Sequence, residues 1–165
     1  CDDAIATMTK IHCEQGDDCT IISSDSDFYQ LLNTFDNCAI YNPIRKKLIE
    51  KPDYDYVTWK ALRGDPTDNI SGIPGCGDKT ADKLVRSPGL LSEYFKKDPI
   101  RQQIFERNVN LIRLVDFSDN LSDMERHDGA ADFEQLYDIL DDMDFQSMIK
   151  EKTWNKYVNT FKELL

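Results

Sequence analysis

With 165 residues, 40% of them hydrophobic and 31% charged, the chain has the composition of one globular domain with a substantial core, which excludes a disordered polymer. Its net charge of −11, from 31 Asp and Glu against 20 Lys and Arg, argues at first sight against a nucleic-acid partner. No apolar run approaches the roughly 20 residues that cross a bilayer, so a soluble, cytoplasmic, monomeric protein with no membrane partner is expected.

The distribution of charge matters more than its sum. Between Asp116 and Asp144 there are eleven acids and one base, Arg126, whereas between Lys60 and Arg113 ten Lys and Arg face seven Asp and Glu. A basic middle and an acidic tail suit a molecule with one phosphate-binding face; a solvated surface throughout is the plainer reading. The five cysteines (Cys1, Cys13, Cys19, Cys38 and Cys76) form no CxxC pair, and His12 and His127 stand apart from them. Reduced thiols, several of them core residues, are expected rather than a zinc site. The chain opens on Cys1-Asp2-Asp3 with no initiator Met and no basic-then-apolar signal pattern, which reads as the start of a fragment.

In chain order, Ile5, Met8 and Ile11 have helical spacing over Asp3 to about Glu14, with Asp2 and Asp3 where the helix dipole favours carboxylates and Gly16 as the break. Cys19-Thr20-Ile21-Ile22 is a short run suited to a buried parallel strand. It ends in Ser23-Ser24-Asp25-Ser26-Asp27, and a helix from about Phe28 to Leu32 follows. A second strand, Cys38 to Tyr41, leads into a hairpin through Arg45-Lys46-Lys47. Strand, helix, strand with short connections is the α/β signature. A helix from about Asp55 to Leu62 precedes Gly64 to Gly77, whose Gly, Pro, Asp and Asn predict loops and tight turns. The remainder reads as helices: Asp78 to Val85, Gly89 to Phe95, Pro99 to Leu114, Phe133 to Leu140 and Trp154 to Leu165.

Three acidic pairs fall where the chain changes direction. Asp2 and Asp3 open a helix, Asp25 and Asp27 follow a strand at the edge where open α/β sheets place their ligands, and Asp65 and Asp68 share one turn. Six carboxylates without nearby His or Cys select hard cations, Mg²⁺ or Mn²⁺. Taken singly, each pair also has a bland explanation as helix-dipole, cap or turn residues. The sharpest motif is Gly72-Ile73-Pro74-Gly75-Cys76-Gly77-Asp78-Lys79-Thr80-Ala81. A glycine-rich hairpin feeding a helix exposes backbone amides to phosphate, and Lys79, Lys83 and Arg86 recur at i, i+4 and i+7 on one face. This is a helix–hairpin–helix pattern.

Ser23-Ser24-Asp25-Ser26-Asp27-Phe28, Gly64-Asp65-Pro66-Thr67-Asp68-Asn69 and Gly72 to Gly77 with Lys79-Thr80-Ala81 together resemble the 5′-nuclease family, which includes flap endonucleases, the 5′-nuclease domain of bacterial DNA polymerase I and bacteriophage ribonuclease H. The resemblance covers Asp2 to about Leu114. It implies the C-terminal part of a PIN-like α/β nuclease fold. Residues 1–62 would belong to the metal-binding core, 63–115 to a helix–hairpin–helix DNA-binding region and 116–165 to an acidic helical tail. Asp2 and Asp3 resemble the aspartates that end the family's Glu-Ala-Asp-Asp motif, with Cys1 in the Ala place. Asp25, Asp27, Asp65 and Asp68 match further metal ligands, and Asp2, Asp25 and Asp27 are the candidate catalytic residues. Gly72, Gly75, Gly77, Lys79, Thr80, Lys83 and Arg86 are the candidate DNA contacts. Two Mg²⁺ (or Mn²⁺) ions, and a K⁺ ion held by carbonyls of the hairpin, are implied as cofactors. The implied activity is 5′-to-3′ exonuclease or flap endonuclease, with RNase H action on RNA–DNA primers, in replication or repair. Its implied partner is duplex DNA or RNA–DNA with a 5′ end or flap. The family's first metal ligands and its basic arch have no counterpart here, so this piece alone is expected to be weak or inactive. Two rivals remain: a non-catalytic duplex-DNA-binding module, and a protein-interaction domain working through its acidic tail.

Overall fold

The computed structural model describes residues 1–119 and 132–162. Part of the acidic stretch, with Arg126 and His127, and the last three residues of the expected terminal helix lie outside them. The chain divides into two compact units, Cys1–Met124 and Glu125–Leu165.

In the first unit, helix α1 (Asp2–Gln15) carries Asp2 and Asp3 in its first turn and ends at Gly16, whose φ of 93° is the left-handed cap that glycine adopts freely. Strand β1 (Cys19–Ile22) pairs in parallel with β2 (Cys38–Asn42), Ile21 opposite Ile40, and α2 (Tyr29–Thr34) lies between them in sequence. A two-residue strand, β3 (Lys47–Leu48), returns antiparallel to β2. The side chain of Asn42 accepts hydrogen bonds from the amides of Ile44 and Arg45 to shape that turn, and Lys46 takes a φ of 52°. Ala6, Cys13, Ile21, Phe28, Leu31, Leu32, Cys38 and Ile40 form the core between sheet and helices.

The expectation of a wholly buried first strand is corrected. Only Ile21 of β1 is buried, and Ile22 is 71% exposed. Among the described residues β1 is hydrogen-bonded to β2 alone, so it is an edge strand.

Helix α3 (Tyr56–Arg63) is N-capped by Asp55, whose carboxylate accepts from the amide of Thr58. It feeds directly into a miniature hairpin, β4 (Gly64–Asp65) and β5 (Ile70–Ser71), inside the stretch expected to be loop and turns. Helices α4 (Asp78–Val85), α5 (Pro88–Lys96) and α6 (Pro99–Ile112) follow. Helix α3 faces two cores. Leu62 joins Ile73, Cys76, Ala81 and Leu84, while Val57 and Ala61 pack on Ile112. Asn108 of α6 is fully buried and donates to the carbonyls of Ala61 and Ser71, both at 2.9 Å, tying α6 to α3 and β5 at once.

The second unit contains α7 (Phe133–Asp142), a one-turn α8 (Gln146–Ile149) that the sequence pattern does not announce, and α9 (Glu151–Lys162). Trp154 packs edge-on to Tyr137 and stacks with Tyr157. Among the described residues no helix is long and apolar enough to cross a membrane.

Candidate metal centre and phosphate-binding groove

Two chain reversals build the acidic site. After β1 the chain turns sharply: the Ser23 hydroxyl accepts from the Asp25 amide at 3.0 Å, and the Asp25 carboxylate accepts from the Asp27 amide at 2.9 Å. These local bonds are the ones Ser and Asp make best, and they bend the backbone so that Asp27 turns inward while Asp25 stays exposed. Gln30, buried in α2, donates to the Asp27 carbonyl at 2.8 Å and to the Ile112 carbonyl at 3.2 Å, and it accepts from the Leu114 amide at 3.1 Å. One glutamine thus pins the Asp27 loop to the segment that leaves α6.

The second reversal is the β4–β5 hairpin. One oxygen of Asp65, Oδ1, accepts from both the amide and the hydroxyl of Thr67, and Asn69 closes the turn with a φ of 57°. The result brings carboxylate oxygens of Asp27, Asp65 and Asp68 all within 4.8 Å of one another, with Asp65 buried, Asp27 half-buried and Asp68 exposed.

Three of the six expected carboxylates therefore converge. Asp2, Asp3 and Asp25 stand outside that group. Asp3 instead accepts from the Val115 amide at 2.7 Å, a contact across 112 positions in sequence, and Asp2 and Asp25 are exposed.

A residue absent from the sequence reading completes the site. Lys60 of α3 is 3% exposed, and its ammonium contacts Asp27 Oδ1 and Asp65 Oδ2. Asp65 Oδ2 is fully buried, with the Lys60 ammonium as its ion-pair partner. Burial alone would raise the Asp65 carboxyl, but Lys60 and Thr67 outweigh it and bring it down to about 2. Burial alone would likewise lower Lys60, yet the bonds to Asp27 and Asp65 hold it above its ordinary value. Asp68 moves the other way, raised by desolvation and by the repulsion of Asp65 and Asp27. An all-oxygen donor set and the mutual repulsion on Asp68 fit a hard divalent cation.

The basic face forms separately. In Ile73-Pro74-Gly75-Cys76 the amide of Cys76 donates to the carbonyl of Ile73 at 2.9 Å, and Gly75 takes a φ of 77°, the conformation that a turn with Pro second and Gly third requires. Buried Ile73 and Cys76 anchor this turn while Gly75 and Gly77 meet nothing within 4 Å of where a side chain would start. Gly77 then caps α4. Exposed Lys79 and Lys83, with Thr80, line a groove of about 340 Å³ together with Tyr94 and Lys97 of the α5 region. Arg86 does not share it. Its guanidinium grips Asp53 through two bonds of 2.6 and 2.7 Å and lies over the Tyr54 ring, so of the three basic residues expected on one face Lys79 and Lys83 line the groove, with Lys97 beside them. Gly72 is also placed for a different reason: a Cβ there would lie 1.9 Å from the Arg63 carbonyl oxygen, so its smallness serves the β4–β5 hairpin itself.

No family model matches the chain. A DNA polymerase I of Rhizobium leguminosarum is 33% identical over 127 residues, 68% of this chain and 12% of that protein. A thermostable DNA polymerase I of Thermus thermophilus is 29% identical over 170 residues, 91% of this chain and 20% of its own length. A 5′-3′ exonuclease of Aquifex aeolicus is 28% identical over 173 residues, again 91% of this chain, and 57% of that protein is covered.

The chain belongs to the 5′-nuclease family.

It spans about a fifth of the polymerase relative from Thermus and little more than half of the exonuclease. In this 5′-nuclease chain the positioning residues missed from sequence are Lys60, Gln30 and Asn108. Lys60 left a trace: it sits in the buried stripe Tyr56, Val57, Lys60, Ala61, where a charge demands a partner. Gln30, between apolar neighbours in the short α2, left a fainter one.

Proposed function

We propose that the Asp27–Asp65–Asp68 group holds Mg²⁺ or Mn²⁺ and that the chain is part of a metal-dependent 5′-to-3′ exonuclease or flap endonuclease hydrolysing phosphodiester bonds in duplex DNA. The observation that carries the reading is the convergence of three carboxylates from two separate chain reversals onto one another. Such a cation, when bound, lowers the pKa of a coordinated water and neutralises charge building on the phosphate. The chain's own residues do the rest. Thr67 holds Oδ1 of Asp65, while Oδ2 meets the Lys60 ammonium. Gln30 and the Ser23–Asp25 turn hold Asp27 in place.

The turn at Gly75, the cap at Gly77 and helix α4 act as the second half of a helix–hairpin–helix whose first helix is α3, gripping sugar–phosphate without reading bases. Lys79, Lys83 and Lys97 neutralise consecutive phosphates. Carbonyls of the Gly72 to Gly77 turn provide the K⁺ position, and RNA–DNA primers are a further substrate of the same active site.

The reading is tested by calorimetric titration of the chain with Mn²⁺. Asp68→Asn, an exposed change that leaves the fold intact, is expected to weaken binding at least tenfold; unchanged affinity would move the metal elsewhere. For the groove, Lys79→Ala, Lys83→Ala and Lys97→Ala are each expected to weaken duplex binding and to lower the slope of log affinity against log salt by about one. An Arg86→Ala variant, whose charge Asp53 already neutralises, serves as the comparison and should leave that slope nearly unchanged.

A further inference from the structure

We propose that Lys60 is the resident cation of the Asp27–Asp65–Asp68 group, and that a divalent ion binds there only by displacing its ammonium. This rests on the metal reading of that group and goes beyond it, because it makes the metal-free and metal-bound forms two alternative ways of neutralising the same acids.

Position comes first. Lys60 lies in the middle of α3 with buried Tyr56, Val57 and Ala61 around it, so its stem passes through core and delivers the ammonium from the protein side of the cluster. A surface lysine would reach an acidic patch from solvent and leave freely; this one is 3% exposed. Its two partners, Asp27 and Asp65, are two of the three members of the candidate centre. The contacts engage Asp27 Oδ1 and Asp65 Oδ2, and Oδ2 is the Asp65 oxygen that Thr67 leaves over.

The occupied oxygens then point to exchange rather than sharing. Three carboxylates carry three negative charges, of which one ammonium cancels one. A divalent ion seated among those carboxylates would set two positive charges beside the ammonium and loosen its hold. The ammonium occupies Asp27 Oδ1 and Asp65 Oδ2, so an ion ligated through those two atoms has to displace it. Lysine is suited to leaving, since its charge rides on a flexible four-carbon stem with no fixed donor geometry. Asp68, the one exposed member, marks the open side of the group. In the metal-free chain Lys60 therefore partly neutralises the cluster and keeps the hairpin docked on α3, and in doing so it weakens the intrinsic hold on the metal.

The experiment compares the wild-type chain with Lys60→Met and Lys60→Arg. Mn²⁺ affinity is measured by calorimetry, and amine acylation of Lys60 is followed by mass spectrometry with and without Mn²⁺. Lys60→Met is expected to bind Mn²⁺ at least tenfold more tightly and to melt at a lower temperature without metal, while Lys60→Arg stays within about threefold of wild type. In the wild-type chain Lys60 is expected to be protected from acylation until Mn²⁺ is added. Should Lys60→Met fold only with Mn²⁺ present, the exchange is supported in its strongest form; failure of Mn²⁺ to restore folding overturns it. A folded Lys60→Met that binds Mn²⁺ no more tightly than wild type, or wild-type acylation unaltered by Mn²⁺, also overturns it while leaving the metal site standing. If the wild-type chain binds no Mn²⁺ at all, the metal reading and the exchange fall together.

Discussion

Gly72→Ala is expected to destabilise the first unit by about 3 kcal/mol or more. The new Cβ would lie 1.9 Å from the carbonyl oxygen of Arg63, 2.3 Å from its carbon and 2.8 Å from the amide nitrogen of Gly64. All three are backbone atoms, and none can swing aside as a side chain would. The facing residue is equally constrained: Gly64 has a φ of 86°, and a Cβ on it would lie 2.2 Å from the amide nitrogen of Gly72. The two glycines are packed backbone to backbone where α3 runs into β4, one step from the Gly64–Ser71 pair and beside the 2.9 Å bond from the Ile73 amide to the Leu62 carbonyl. Relieving the clash means separating the hairpin from α3, which removes Asp65 from Lys60 and Asp68 from Asp27. Metal binding should fall with stability. Gly89→Ala is the control, since Gly89 lies in the first turn of α5 with nothing within 4 Å, and there alanine should be neutral or stabilising by about 0.5–1 kcal/mol. Urea denaturation of both variants decides: similar midpoints would mean that the close approach of Gly64 and Gly72 does not hold the hairpin.

The same hairpin shows what the sequence makes legible. Gly64-Asp65-Pro66-Thr67-Asp68-Asn69 is readable as a turn because each residue acts locally: Asp65 accepts from Thr67 two positions on, and Asn69 tolerates a positive φ. Strand β1, α2 and β2 are readable for a similar reason, since their periodicity and their breakers lie within a few residues of one another. What stays hidden is long-range. The pairing of Lys60 with Asp27 spans 33 positions, that of Asp3 with the Val115 amide 112, and that of Arg86 with Asp53 33. Helical spacing places Arg86 on a face with Lys79 and Lys83, but spacing cannot foresee that an aspartate and a tyrosine before α3 will claim its guanidinium. Ile22 misleads in the opposite sense, because an apolar run does not reveal that, among the described residues, its strand has a neighbour on one side only.

Asp65→Asn isolates the site's electrostatics from its shape and is expected to weaken Mn²⁺ binding about a hundredfold while costing roughly 2 kcal/mol of stability near neutral pH. The amide preserves the size of the side chain, and its oxygen can still accept from Thr67, so the turn survives. What is lost is the charge opposite Lys60, a 3%-exposed ammonium left with Asp27 as its remaining ion-pair partner. The cost should depend on pH in a defined direction. The Asp65 carboxyl is depressed in the folded chain to about 2 from an ordinary value of 3.8, so the folded state favours its ionised form. Its contribution is fully present above pH 4 and is lost as the pH falls through about 2, where the wild-type side chain is itself protonated. Stability curves of wild type and Asp65→Asn should run parallel from about pH 5 to neutrality and converge between about pH 4 and 2. Lys60 adds nothing to that convergence: its value is raised, so its contribution is complete below the ordinary lysine range and fades only at the alkaline end. A stability difference that persists unchanged at pH 2 would mean that Asp65 matters for packing rather than as the carboxylate partner of Lys60.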